Sequence, residues 1–250
     1  MIRIGNTLGL FGNAVAVLGN PIPTPPLPDA SGGIVTYDGD YAIHTFDSSG
    51  VFYIGTTTDV SVLVVGGGSS ANGYNETPLH YRGGGGGEVI EQSLNIAAGN
   101  YNITIGKGGA AKTGGALGDN GGVSSLGELL SADGGLRPDT GVNIGKGGYS
   151  GSGFAGGNPR SSGVYNAGGG GAGAGGIGQN ASADGTTGGS GGAGITSQIT
   201  GYVYGGGGGG SSVLSGSNTD SSAGGGSHGN WSNQSNAGQN GIVVIKYKYK

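Results

Sequence analysis

Runs of five and six consecutive glycines, GGGGG at 83–87 and GGGGGG at 205–210, lie between two apolar, strand-like segments, DVSVLVVGGG at 59–68 and GIVVIKYKYK at 241–250. The bracketing places the glycine inside a folded object, although 67 Gly in 250 residues is a composition that otherwise marks low-complexity chains. Ordering a residue's backbone costs on the order of 1–2 kcal/mol, and glycine has the most freedom to lose. No side chain is there to offset that by burial, which leaves backbone hydrogen bonds, each worth about 0.5–1.5 kcal/mol net. Extended glycine segments can make them densely because no Cβ keeps the chains apart. Without a Gly-X-Y triplet a collagen rod is excluded. The expectation is an all-β chain with a short-strand, β-sandwich-like base, a region of packed polyglycine II-type helices or Gly-rich strands, and almost no α-helix.

Composition removes several functions. Apolar residues are 33% of the chain, too few for a conventional core throughout. Charged residues are 10%, and between Ser161 and Ile245 only Asp184 and Asp220 occur, whereas disordered chains of low hydrophobicity are solvated by high charge. A net charge of -4 without Lys/Arg clusters gives no footprint for nucleic acid or an anionic membrane. With no Cys, neither disulfides nor a thiolate metal site is available. The start, MIRIGNTLGLFGNAVAVLGN, is interrupted by Gly and Asn and makes a poor signal peptide. No segment has the length of a membrane helix. Synthesis in a cytoplasm without membrane insertion is expected.

Three parts follow: a segment at 1–20, a Pro/Gly-rich linker at 21–33, and a glycine-rich β domain at 34–250. In PIPTPPLP (21–28), five Pro in eight residues favour a stiff polyproline II arm. Alternating segments IVTYD (34–38), YAIHTF (41–46), VFYI (51–54) and VSVLVV (60–65) read as strands, with Asp47-Ser48-Ser49-Gly50 a hairpin turn between two of them. EVIEQSL (88–94) and YNITIG (101–106) read as a second hairpin through Ala98-Gly99-Asn100. LGELL (126–130) is the one place for a turn or two of helix. In the last strand Val243, Ile245, Tyr247 and Tyr249 share a buried face, and Lys246, Lys248 and Lys250 end the face that meets water.

The order YAIHTFDSSGVFYI, VSVLVVGGG, YRGGGGGEV, AAGNYNITIGKGGA, NGGVSSLG, a long glycine tract, YGGGGGG and a terminal GIVVIKY resembles the glycine-rich domain of bacteriophage tail-fibre and adhesin proteins, over about residues 34–250. The resemblance implies a sandwich of left-handed polyglycine helices whose connecting loops form a distal receptor-binding tip. It implies a virion protein, on the tail or outer surface, assembled in the host cytoplasm and anchored to other virion proteins through residues 1–20. A host surface glycan or outer-membrane protein would be its partner, and a homo-oligomer is possible.

No motif points to chemistry. GKGGAAKT (106–113) has Ala111 where a phosphate-binding loop needs Gly before its Lys, and no helix follows. G-x-S-x-G around Ser190 and Ser227 lacks the strand-turn-helix of a nucleophile elbow. GGALGDNGG (114–122) does not repeat as calcium-binding glycine nonapeptides do. His44 reads as a half-buried strand residue, His80 and His228 lie in separate loops, and no metal or other cofactor is expected. The loops between glycine runs instead combine aromatics with Ser, Gly and Asn, the composition of antibody-like recognition loops. Candidate receptor-binding residues are Tyr74, His80, Tyr81, Arg82, Tyr149, Phe154, Tyr165, Tyr202 and Trp231, with Arg160 and Tyr204 beside them; packing over the glycine layers is the plainer role for any one Tyr. Three functions stay open: a non-enzymatic adhesin tip, a structural virion component such as a fibre segment or capsid decoration, and an extracellular polysaccharide hydrolase.

Overall fold

A computed structural model describes residues 29–72, 82–113, 116–139, 146–162, 166–212, 224–227 and 235–249. After a short strand not expected from the sequence, β1 (Ala30–Ser31), the expected strands form: β2 (Ile34–Asp38), β3 (Tyr41–Phe46), β4 (Gly50–Ile54) and β5 (Thr58–Val65). After the first glycine run come β6 (Val89–Ile96), β7 (Gly99–Thr104), β8 (Ser124–Leu126) and β9 (Leu130–Ala132). The glycine-rich region holds four two-residue strands, β10 (Arg160–Ser161), β11 (Asn166–Ala167), β12 (Ile195–Thr196) and β13 (Val203–Tyr204), and β14 (Ile242–Lys248) closes the chain. No helix occurs among the described residues.

Two five-stranded antiparallel sheets, ordered β1-β4-β7-β8-β9 and β2-β3-β14-β5-β6, share one core. Phe52, Ile54, Ile103 and Leu126 enter it from the first sheet, and Phe46, Val62, Val64 and Ile245 from the second. Phe46 and Phe52 meet edge to face at 6.4 Å. His44 is fully buried in this core, more so than its sequence suggests; Nδ1 bonds Gly32 O at 2.8 Å and Nε2 lies 3.2 Å from the Tyr247 hydroxyl. The last strand behaves as its alternation predicts on one side, with Val243, Ile245 and Tyr247 buried. On the other side only its end meets water, because Val244 is covered together with Leu63, Val65 and Tyr204.

Three local expectations are corrected. β3 and β4 do not form a hairpin: β3 pairs with β2 and β14, and β4 with β1 and β7, so Asp47-Ser48-Ser49 carries the chain across the core. β6 and β7 likewise belong to opposite sheets, β6 beside β5 and β7 beside β4 and β8. Alternation marks which face of a strand is buried, and both partners of a sandwich satisfy it equally. LGELL is no helical turn; it is the tip of the β8–β9 hairpin, with Leu126 opposite Leu130 and Gly127 at φ 50°. A five-residue segment cannot repay helix nucleation. Ala30–Ser31 add a short edge strand to the first sheet by pairing with β4.

The glycine runs form a lattice. The amides of Gly83 and Gly86 donate to Gly169 O and Ala172 O, those of Gly84 and Gly87 to Ser227 O and Gly224 O, and those of Gly85 and Glu88 to Leu136 O and Asp133 O. Bonds to each neighbour recur every third residue, the signature of an extended threefold helix with three residues per turn. The carbonyls of the same run accept from Gly148 and Gly151, from Gly208, and from Ser69 and Gly66. One run is therefore surrounded by six others, some parallel and some antiparallel. A Cβ on Gly83 would lie 1.8 Å from Gly208 O, and one on Gly171 1.9 Å from Gly84 O. Only glycine permits this spacing.

Candidate functional site

The lattice grows directly from the sandwich: β5 runs on into 66–72, residues 82–88 return into β6, and 235–241 return into β14. The hydrogen-bond register gives the direction. Gly67 N–H donates to Gly122 O and Ser70 N–H to Asp119 O; Gly85 N–H donates to Leu136 O and Asp139 N–H to Lys146 O; Gly238 N–H donates to Gly109 O and Ser235 N–H to Lys112 O. In each pair the second bond lies further from the strands. Residues 72 and 82, 113 and 116, 139 and 146, and 227 and 235 thus stand at the lattice end opposite the sandwich.

Close to that end, Asn120, Leu136, Arg137, Pro138, Asp139 and Tyr149 line a cleft of about 290 Å³. Its backbone is held on all sides. Leu136 N–H donates to Tyr149 O (2.8 Å), Leu136 O accepts from Ser69 Oγ (2.9 Å), and Arg137 N–H donates to Asn120 Oδ1 (2.9 Å). From beneath, the buried Arg82 guanidinium donates through Nη1 to Asp139 O. Burial lowers the Arg82 pKa from its ordinary value and the Asp139 carboxylate opposes that shift. The Leu136 and Tyr149 side chains stay substantially exposed. The cleft thus offers an apolar wall, one guanidinium, one carboxylate and an amide on a rigid floor, an arrangement suited to holding a polar ligand with an apolar face.

Of the sequence candidates, Tyr149 lines this cleft, and Phe154 is exposed on the adjacent turn, where its amide donates to Ser150 Oγ at 3.0 Å. Arg82 is turned inward and positions the cleft wall. Tyr202, 63% exposed, sits elsewhere, on the β12–β13 hairpin that Glu91 pins by accepting from Ser197 Oγ (2.6 Å) and Gln198 N–H (3.1 Å). Tyr204 is buried on the same hairpin, and Arg160 is exposed in β10. Tyr74, His80, Tyr81, Tyr165 and Trp231 lie outside the described residues. Asn120, Leu136 and Pro138 escaped the sequence reading because neighbouring lattice helices, remote in sequence, bring them together; the only signal was LRPD breaking a glycine run.

Two ionisable groups away from the cleft, Asp184 and Lys112, have structural partners. Asp184 is exposed and held down to about 2, chiefly by the Ser182 hydroxyl and then by the Thr186 amide and hydroxyl. Lys112 pairs with Asp119 at 2.7 Å. Among the described residues no three His, Asp or Glu gather as a metal site, and no helix is long and apolar enough to cross a membrane. A family model described as a glycine-rich domain matches residues 47–248. No curated protein matches the chain.

Proposed function

The chain belongs to the glycine-rich domain family, and from that premise we propose that it is a bacteriophage virion protein, a tail-fibre or adhesin component that carries host-receptor recognition on the loops joining its glycine helices. The observation that carries this reading is the gathering of those loop ends at one end of a rigid lattice, away from the sandwich, with an aromatic and Arg-lined cleft beside them. A surface already ordered before binding avoids much of the entropy cost of recognition. Tyr74, His80, Tyr81 and Trp231 fall between those loop ends in sequence, which supports the same assignment. On this reading the protein performs no covalent chemistry. Residues 1–20 hold it to other virion proteins, and the ligand is a host surface glycan or outer-membrane protein.

The test is adsorption of the purified full chain to host cells. Tyr149→Ala is expected to weaken binding about tenfold or more without lowering the melting temperature, as for an anchor in a compact interface. Because the cleft's one guanidinium and one carboxylate offset each other, binding should depend weakly on salt. Absence of binding under every salt and divalent-ion condition, with assembly onto particles intact, would favour a structural virion component, a fibre segment or capsid decoration. The apolar exposure of β2 is the observation that favours this second reading.

A further inference from the structure

The free edge of β2 is built to pair. Among the described residues β2 is the outermost strand of its sheet, bonded only to β3, and its Ile34, Val35 and Tyr37 side chains are 60%, 39% and 55% exposed. Natural edge strands are usually guarded by Lys, Pro, a bulge or a cover. The β2–β3 register runs without a bulge from Ile34↔Thr45 to Asp38↔Tyr41, and IVTYD contains neither Lys nor Pro. The acidic groups beside that edge each have a lysine nearby that lessens their repulsion of a second edge: Lys246 Nζ is 3.3 Å from Asp38 and Lys248 Nζ 4.0 Å from Asp40.

The hairpin fixes which backbone groups are available. Its two-residue loop, Gly39-Asp40, makes Asp38 and Tyr41 a doubly hydrogen-bonded pair, so Asp38, Thr36 and Ile34 bond inward to β3. Val35 and Tyr37 turn their N–H and C=O groups outward. Their side chains share the face of their partners His44 and Ala42, which places them on the sandwich side of the sheet, where the Tyr37 ring packs on Tyr249 at 5.2 Å and both Val35 and Tyr37 keep an exposed side.

We infer that β2 is the interface for a second copy of this chain, joined antiparallel about a twofold axis through Thr36. That register sets Val35 opposite Tyr37 of the second copy and Tyr37 opposite its Val35. All four outward donors and all four acceptors are satisfied, and the two sheets continue into one. Each seam position pairs an aromatic with a β-branched residue, a favourable cross-strand combination. No other register of this strand against itself makes both residues hydrogen-bonded pairs at once.

The inference is independent of the receptor reading, and the full chain tests it. Sedimentation should give twice the 23.8 kDa chain mass, falling toward the monomer on dilution. Val35→Pro removes an outward donor while leaving the inward bonds of β2 intact, as Pro at an edge allows. It should weaken association about 10- to 100-fold, since two hydrogen bonds per dimer are lost. Because the chain has no Cys, Thr36→Cys gives one thiol. Directly opposed non-hydrogen-bonded residues lie about 4.5 Å apart, within disulfide reach, so oxidation should link 36 to 36 across the axis. Asp47→Cys, in the exposed turn after β3, should not link. A monomer at all concentrations overturns the inference, as does a dimer that is indifferent to Val35→Pro and forms no link at 36; the first outcome includes β2 being covered by residues 1–28 of its own chain.

Discussion

The sandwich and the glycine lattice are continuous in chain and opposite in construction. Between the sheets, Phe46, Phe52, Leu126 and Ile245 fill space with side chains, and the sheets' hydrogen bonds run only sideways. In the lattice, side-chain filling nearly vanishes and each threefold helix bonds in several directions at once, as residues 83–88 do with six neighbours. The sandwich is held by what its residues carry, the lattice by what its residues lack. Mutational tolerance should therefore invert between the two: the sandwich suffers when atoms are removed, the lattice when they are added.

The largest effect expected from removal is Phe52→Ala, which empties a fully buried position and should cost about 3–5 kcal/mol in chemical denaturation. A change below about 1 kcal/mol would mean that the sandwich core is not what holds the base. In the lattice, Gly83→Ala adds one methyl where a Cβ would meet Gly208 O at 1.8 Å. Overpacking and strained hydrogen bonds together should cost about 3 kcal/mol. Gly176→Ala is the control, since nothing lies within 4 Å of its Cβ position; it should be neutral or stabilising by up to about 1 kcal/mol. Equal tolerance of the two substitutions would turn the lattice into a flexible linker and erase the comparison.

A smaller effect separates the regions by pH. Burial lowers the His44 pKa below its ordinary 6.5, only partly opposed by its bond to Gly32 O. The unfolded chain then binds the proton first as pH falls, so stability present above 6.5 declines below it, toward the lowered folded value. The decline should appear in thermal melts between pH 7 and 5 and largely vanish in His44→Gln. A slope unchanged in that variant would place the titrating group elsewhere. Smallest is the Lys112–Asp119 ion pair, partly exposed. Lys112→Met should change stability by about 0.5 kcal/mol or less, and a larger loss would mean that charge matters to the lattice.

The two regions also differed in how far they could be read from sequence. Alternation in YAIHTF and VSVLVV revealed strands and their buried faces, because a side chain at every second position reports its surroundings. It could not say that Phe46 and Phe52 face each other from opposite sheets, since a hairpin and a crossing turn bury the same residues. In the lattice the absence of side chains announced backbone packing and hid its register. Nothing in GGGGG indicates that Gly83 bonds to Gly169 and Gly84 to Ser227. The cleft was half legible for that reason: Tyr149 stood out as an aromatic in a loop, but its neighbours Asn120 and Leu136 are set by that register.

Amide hydrogen exchange on the full chain tests the central claim most directly. If the lattice is held by backbone hydrogen bonds in three directions, the amides of Gly84, Gly86, Gly171 and Gly208 should be protected as strongly as those of Val62 and Ile245 in the sandwich, and should exchange together with them at the global unfolding limit. Exchange of those glycine amides near the rate of an unstructured peptide, with the sandwich still protected, would contradict it.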